Sequence, residues 1–174
     1  MILRQETPTD YHVVHELVQK AFASEIHSDH REHLLVENLR KSEHFIPELS
    51  IVATIDNLVV GYILLSKIKI VNPKQTFNSL ALAPVAVLPE YQKNGIGRAL
   101  INYAHEKAKQ LNYSSIILLG HKDYYPKFGY KLASTFGIKL QFDVPEENCM
   151  AIELCQYALK GISGIVEYPK EFYS

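Results

Sequence analysis

Cysteine and tryptophan are almost missing from this chain: its 174 residues include two cysteines, Cys149 and Cys155, and no tryptophan. Two thiols cannot build the disulfide framework of a small secreted domain, and no second pair at ligand spacing completes a zinc site. An excess of one charge sign is missing too. Eighteen Lys and Arg stand against nineteen Asp and Glu, a formal net charge of −1. A nucleic-acid binder usually shows a basic excess or stripe, so that class is disfavoured. No apolar run approaches the ~20 residues of a membrane-crossing helix. The start, Met1-Ile2-Leu3-Arg4-Gln5-Glu6, turns polar at once, unlike a signal peptide. The expectation is a cytoplasmic protein with no membrane or nucleic-acid partner and no metal.

What is present is ordinary for a globular protein: 47% hydrophobic and 21% charged residues, with no repeats or low-complexity tracts. The length suits one domain over residues 1–174, which should bury roughly 70% of its unfolded surface without disulfides or metal. Ile2–Gln5 reads as a strand, and Thr7-Pro8-Thr9-Asp10 breaks it and offers helix-capping oxygens. Apolar residues at helical spacing (Val14, Leu17, Val18, Ala21, Phe22) predict a helix over Tyr11–Ala23, and Leu34, Leu35 and Leu39 a second over Arg31–Lys41. Ser50–Ile55 and Leu58–Leu65, the latter reaching toward Val71, form a hairpin about the Asp56-Asn57 turn signal. Ser79–Leu88, Gly95–Leu111 and Ser114–Leu119 then read as strand, helix and strand, a βαβ unit with parallel pairing. A short helix at Tyr124–Phe128 and strands at Tyr130–Ala133 and Cys149–Leu154 follow. The fold class is α/β with a mixed sheet.

The chemistry-bearing segment runs Val85-Ala86-Val87-Leu88-Pro89-Glu90-Tyr91-Gln92-Lys93-Asn94-Gly95-Ile96-Gly97-Arg98, from apolar strand through a polar turn into an amphipathic helix. Gly95 and Gly97 permit unusual backbone angles and close approach of a ligand. Amides from Lys93 to Arg98 converge where the helix dipole favours an anion, with Lys93 and Arg98 adding charge, so a phosphate or pyrophosphate is the natural guest. Leu100 stands where a dinucleotide fingerprint needs Gly or Ala, and Arg98-Ala99 follow Gly97 where a P-loop needs Lys-Ser/Thr.

Gln92-Lys93-Asn94-Gly95-Ile96-Gly97, in this strand–turn–helix context, resembles the acetyl-CoA signature of the GNAT N-acetyltransferases, Gln/Arg-x-x-Gly-x-Gly/Ala. Tyr124-Tyr125-Pro126-Lys127-Phe128-Gly129-Tyr130 is similar to that family's second cosubstrate-side motif. With Leu119-Gly120-His121 and the C-terminal Gly161, Gly164, Val166, Tyr168, Pro169 and Phe172, the whole chain resembles the bacterial YhbS-like branch. The resemblance implies a GNAT fold, a mixed central sheet splayed beside the signature strand with helices on both faces. It implies acetyl-CoA as cosubstrate, a primary amine as acceptor, direct attack on the thioester, and a homodimer as a plausible assembly. Main-chain groups of Val85, Ala86 and Val87 would pair with pantetheine, and Gln92, Lys93, Asn94, Gly95, Ile96, Gly97 and Arg98 would hold the pyrophosphate. For Arg98 a phosphate contact and a solvated helix position both stay open.

Tyr125 matches the family's general acid, and a phenol of pKa near 10 is protonated at neutral pH and suited to a thiolate leaving group. Tyr124, Phe128 and Tyr130 read as packing. The base stays open: His121 is the best-placed titrating group, with orientation of the Tyr124-Tyr125 turn as its other role. Glu25, Asp29, Glu32 and Glu90 are weaker candidates for steering a cationic amine. His27, His30 and His33 sit three apart, which aligns them only partly on a helix, and solvated neighbours favour no metal there. Cys149 and Cys155 read as structural. The acceptor side would comprise Ser24–His33, Lys67–Phe77 and the C-terminal strands. The competing reading is a non-catalytic acyl-CoA-binding module that keeps the fold.

Overall fold

A computed structural model describes residues 1–174 of the chain. The first strand, β1 (Ile2–Gln5), leads into a turn that fixes the first helix. Arg4 grips the Asp10 carboxylate with two hydrogen bonds of 2.7 and 2.9 Å, and the Thr7 amide and hydroxyl donate to Asp10 Oδ2. The hydrogen bonds from Arg4 hold the Asp10 carboxyl down to about 2. Helix α1 (Tyr11–Phe22) follows and buries Val14, Leu17, Val18 and Ala21; α2 (Glu32–Arg40) buries Val36 and Leu39.

The strands are β2 (Ser50–Ile55), β3 (Leu58–Val71), β4 (Thr76–Val87), β5 (Ser115–Leu119), β6 (Lys131–Leu132), β7 (Ile138–Leu140), β8 (Cys149–Glu153) and β9 (Gly164–Glu167). They make one mixed sheet in the order β1-β2-β3-β4-β5-β8-β6. The β2–β3 hairpin turns at Asp56 and Asn57 with φ of 49° and 64°, the paired positive angles that match strand twist in a two-residue turn. β3 runs the full length to Val71: β2 pairs with Leu58–Leu64 and β9 with Lys69–Val71 on one edge, and β4 pairs along the other from Gly61 to Val71.

Two expected elements are corrected. The strand expected at Tyr130–Ala133 shrinks to Lys131–Leu132, since Ala133–Phe136 coil into a 3-10 turn. β4 begins at Thr76 rather than Ser79, because the end of β3 pairs it there. β7 and β9, which pair in parallel, had no strand signal.

Both faces of the sheet are covered. Gly61 on β3 faces α3 (Ile96–Gln110): a β-carbon there would meet Ile96 Cγ2 at 2.8 Å and Leu100 Cδ1 at 2.9 Å, so its absence sets how closely the helix lies. The neighbouring Tyr62 points to the opposite face, where its hydroxyl bonds Ser50 at 2.8 Å. Ser50 donates to Glu6 Oε2 at 2.5 Å, and Glu6 is ion-paired with Arg40 of α2. The Arg40 guanidinium also stacks on the Tyr11 ring, 4.0 Å from its centre. Around this network a cluster of 33 buried residues spans α1, α2, α3 and the sheet, and one of 11 lies toward the C-terminal strands.

The gap that positions the site comes from one irregularity. Ile63 pairs Val85 and Leu65 pairs Leu82, so a single β3 residue, Leu64, faces both Ala83 and Pro84. Such a bulge bends its strand, and Pro84 has no amide to donate. The parallel pairing of β4 with β5 is confined to Leu80–Ile116 and Ala81–Ile117, before the bulge. Beyond it the two strands separate.

Candidate active site

Val85, Ala86 and Val87 lie past the bulge, bonded to β3 on one side and free of β5 on the other. An extended amide chain of matching length can use such an unpaired edge. The Gln92 side chain turns back and donates to the Val87 carbonyl at 3.1 Å, tying the turn to the strand, and a carbonyl has a second lone pair to share.

The turn itself divides its labour differently from the expectation that Gly95 and Gly97 both relieve the backbone. Positive φ falls on Lys93 (65°) and Gly95 (80°). Gly97 is inside α3, and what matters there is its missing side chain: a β-carbon would stand 3.1 Å from the Tyr124 hydroxyl. Gly95 caps α3 without a side-chain hydrogen bond, and the first helical bond at this end runs from the Ala99 amide to the Gly95 carbonyl. The amides of Ile96, Gly97 and Arg98 are left without helical acceptors. Three converging donors at the positive end of a 15-residue helix fit an anionic diphosphate. Lys93, Asn94 and Arg98 are exposed beside them.

Across the gap, the end of β5 passes through Gly120 and His121 into the 3-10 turn Tyr125–Phe128, which Gly129 closes with φ of 100°. The His121 carbonyl accepts from the Tyr124 and Tyr125 amides, so its backbone shapes this turn while its imidazole is exposed. Tyr125 is only 8% exposed. Tyr124 and Tyr130 meet its ring edge-on, with centres 5.1 and 5.7 Å away. Its hydroxyl has no side-chain partner and is not among the fully enclosed unpaired atoms, so it remains open to a ligand. Burial, and secondarily Tyr124, push its pKa above the ordinary phenol value. It is a firmly protonated O–H donor. Tyr130 is itself anchored to α3, its hydroxyl bonded to His105 Nε2 at 2.9 Å, and burial depresses the His105 pKa to about 4.

Tyr124 packs as expected and has a second contact besides. Its ring does pack against Tyr125 and Phe128, but its hydroxyl reaches the first turn of α3. Burial raises its pKa, opposed by the charge of Arg98. The spacing of Tyr124 from Gly129 carried no sign of this, because the contact bridges elements that the sequence does not pair.

The remaining candidates are dispersed. His30 Nδ1 donates to the Phe22 carbonyl at 2.8 Å, His33 lies edge-on to His15, and His27 is exposed, with no metal-ligating group of three assembled. Glu32 is bonded by Ser28, while Glu25, Asp29 and Glu90 are exposed. Cys149 is buried and Cys155 exposed, both unpaired.

The model of the acetyltransferase (GNAT) family matches residues 11–130. The chain belongs to the GNAT family. It is 28% identical over 173 residues, 99% of this chain and 98% of the relative, to the uncharacterized N-acetyltransferase YhbS of Escherichia coli K12. It is 30% identical over 148 residues, 80% of this chain and 82% of the relative, to the uncharacterized N-acetyltransferase YjhQ of the same strain. The structure of Escherichia coli YhbS in complex with CoA superposes with a TM-score of 0.89 at 27% identity, covering 99% of this chain and 92% of that one. A GNAT family acetyltransferase from Brucella melitensis in complex with acetyl-CoA gives 0.81 at 26% identity, covering 98% and 97%. The GNAT fold and the likeness to the YhbS branch agree with the sequence resemblance. No helix of this GNAT chain is long and apolar enough to cross a membrane.

Proposed function

We propose that the chain is an acyltransferase that moves an acetyl group from acetyl-CoA to a primary amine by direct attack, without an acyl-enzyme. The observation that carries this reading is the Tyr125 hydroxyl, protonated and unpartnered, on a turn whose neighbouring Tyr124 touches the anion-ready first turn of α3. A module that only bound acyl-CoA would have no use for such a donor. In this reading the edge of Val85–Val87 pairs with the pantetheine amides, and residues Gln92–Arg98 bind the pyrophosphate.

The amine nitrogen forms a bond to the thioester carbonyl carbon, the C–S bond breaks, and sulfur leaves as a thiolate. Tyr125 donates its hydrogen bond, and then its proton, to that sulfur; solvent restores the phenol. The amine proton leaves to water or to His121, an exposed titrating group at the end of β5. A lysine-type amine is neutral only about one part in 2,500 at pH 7, whereas an α-amino group is about one-seventh neutral. The second needs far less help from a base.

The test is a screen of amines and peptides for acetyl-CoA-dependent CoA release, with Tyr125→Phe beside the parent. General-acid loss predicts a kcat fall of about 10²–10⁴-fold with acetyl-CoA affinity retained. Saturable binding without turnover on any acceptor would instead favour the binding module. A homodimer, the assembly the resemblance implies, is tested by sedimentation of the purified chain.

A further inference from the structure

We infer that Gly120 is a positioning residue for Tyr125, seating the ring by its lack of a side chain, while Asn148 locks the Gly120 peptide in place. The inference rests on the reading of Tyr125 as the proton donor. A β-carbon on Gly120 would lie 2.4 Å from Tyr125 Cε2 and 2.8 Å from Cδ2. Packed carbon atoms sit about 3.5–4.0 Å apart. Gly120 is not among the glycines with positive φ, so no left-handed backbone calls for glycine there. Space, not dihedral freedom, demands glycine here.

Neither partner can give way without cost. The Gly120 amide donates to the Asn148 carbonyl at 2.9 Å, and Asn148 Nδ2 donates to the Gly120 carbonyl at 2.9 Å. The adjacent Leu119–Cys149 pair of β5 and β8 holds the same junction. The Tyr125 ring is walled by Tyr124, Tyr130 and Phe128, and Tyr130 is pinned by His105. An added methyl group therefore displaces the ring, and its hydroxyl moves with it. Misplacing a reacting group by 1 Å costs about 100-fold in rate. Nothing in the backbone pattern around Gly120 requires a glycine for folding, which separates this position from Gly129.

The experiment needs no acceptor. Tyrosine labelled with ¹³C at Cζ is incorporated into the full chain, Tyr125→Phe identifies the Tyr125 resonance, and CoA is titrated while calorimetry follows its binding. In the parent, CoA should shift the Tyr125 resonance. In Gly120→Ala, CoA should bind with the parent affinity, but the free-protein resonance should already be displaced and its response to CoA lost. A Gly120→Ala resonance that starts and moves as in the parent overturns the positioning role. A parent resonance that ignores saturating CoA overturns the proton-donor reading beneath it, while the free-protein displacement still reports on Gly120. Should Gly120→Ala fail to fold, Asn148→Ala decides. It removes the side-chain half of the clamp without adding an atom beside the ring. A displaced Tyr125 resonance in that variant supports the inference, and one identical to the parent overturns it.

Discussion

The Tyr124 hydroxyl and Gly97 are fitted to each other: a β-carbon on Gly97 would stand 3.1 Å from that oxygen. The phenol therefore overlooks the free amides of α3, with the Arg98 charge acting on it. A hydroxyl in this position can donate to a phosphate oxygen, and hydrogen bonds to charged groups contribute about 1.5–3 kcal/mol. Tyr124→Phe should weaken acetyl-CoA binding by about 10- to 150-fold, read by calorimetry. An unchanged Kd would show that the hydroxyl does not meet the phosphates.

The buried pair of Glu6 and Arg40 links the strand edge to α2, with the Glu6 side chain only 1% exposed. Removing one member leaves the other charge buried and unpaired. Arg40→Leu should cost about 3–5 kcal/mol, and adding Glu6→Leu should recover much of it. Urea unfolding of the two variants tests this. A double variant no more stable than Arg40→Leu would mean that the Ser50 and Tyr62 hydroxyls depend on the Glu6 carboxylate more than the charge pair does.

His105 gives a pH dependence with a definite sign. Burial holds its pKa near 4 in the folded chain, against about 6.5 unfolded. Protons thus bind the unfolded state first, and stability present above pH 6.5 is lost as pH falls toward 4, by about 3 kcal/mol at most. His105→Phe should flatten the curve across that window while losing the bond to Tyr130. If the parent and variant curves run parallel there, the histidine is already protonated in the fold. Asp10, held down to about 2 by Arg4, adds its own loss only at more acid pH, below its ordinary 3.8.

Legibility in the sequence followed the range of the interactions. The Asp56-Asn57 hairpin and the apolar stripes of α1 and α2 were readable because turn dihedrals and helical periodicity are local. The strand-to-helix turn at Lys93–Arg98 was readable for the same reason. β7 and β9 were not, since they have three and four residues and pair with each other across a long separation. The bulge at Ala83-Pro84 opens the cleft, yet it depends on the register of β3 and cannot be seen in β4 alone. Tyr125 stood out by its distance from Gly129. Tyr124 and Gly120 acquire their roles only through contacts between separate segments.

Gly61 and Gly95 show two different reasons for glycine, and substitution separates them. At Gly61 the space is filled by Ile96 and Leu100 at under 3.0 Å, with no positive φ. Gly61→Ala should cost about 1–3 kcal/mol by overpacking. Because Ile96 begins α3, it should also lower acetyl-CoA affinity by moving the free amides. At Gly95 nothing lies within 4 Å of a β-carbon, but φ is 80°. Gly95→Ala should cost about 1–2 kcal/mol from the left-handed backbone alone. Asn tolerates that conformation, so Gly95→Asn should regain much of the loss, whereas Gly61→Asn should be worse than Gly61→Ala. Thermal unfolding of the four variants, with acetyl-CoA titration of each, checks the ordering. Equal damage from Asn and Ala at Gly95 would mean that the turn needs close approach of its ligand more than it needs the dihedral.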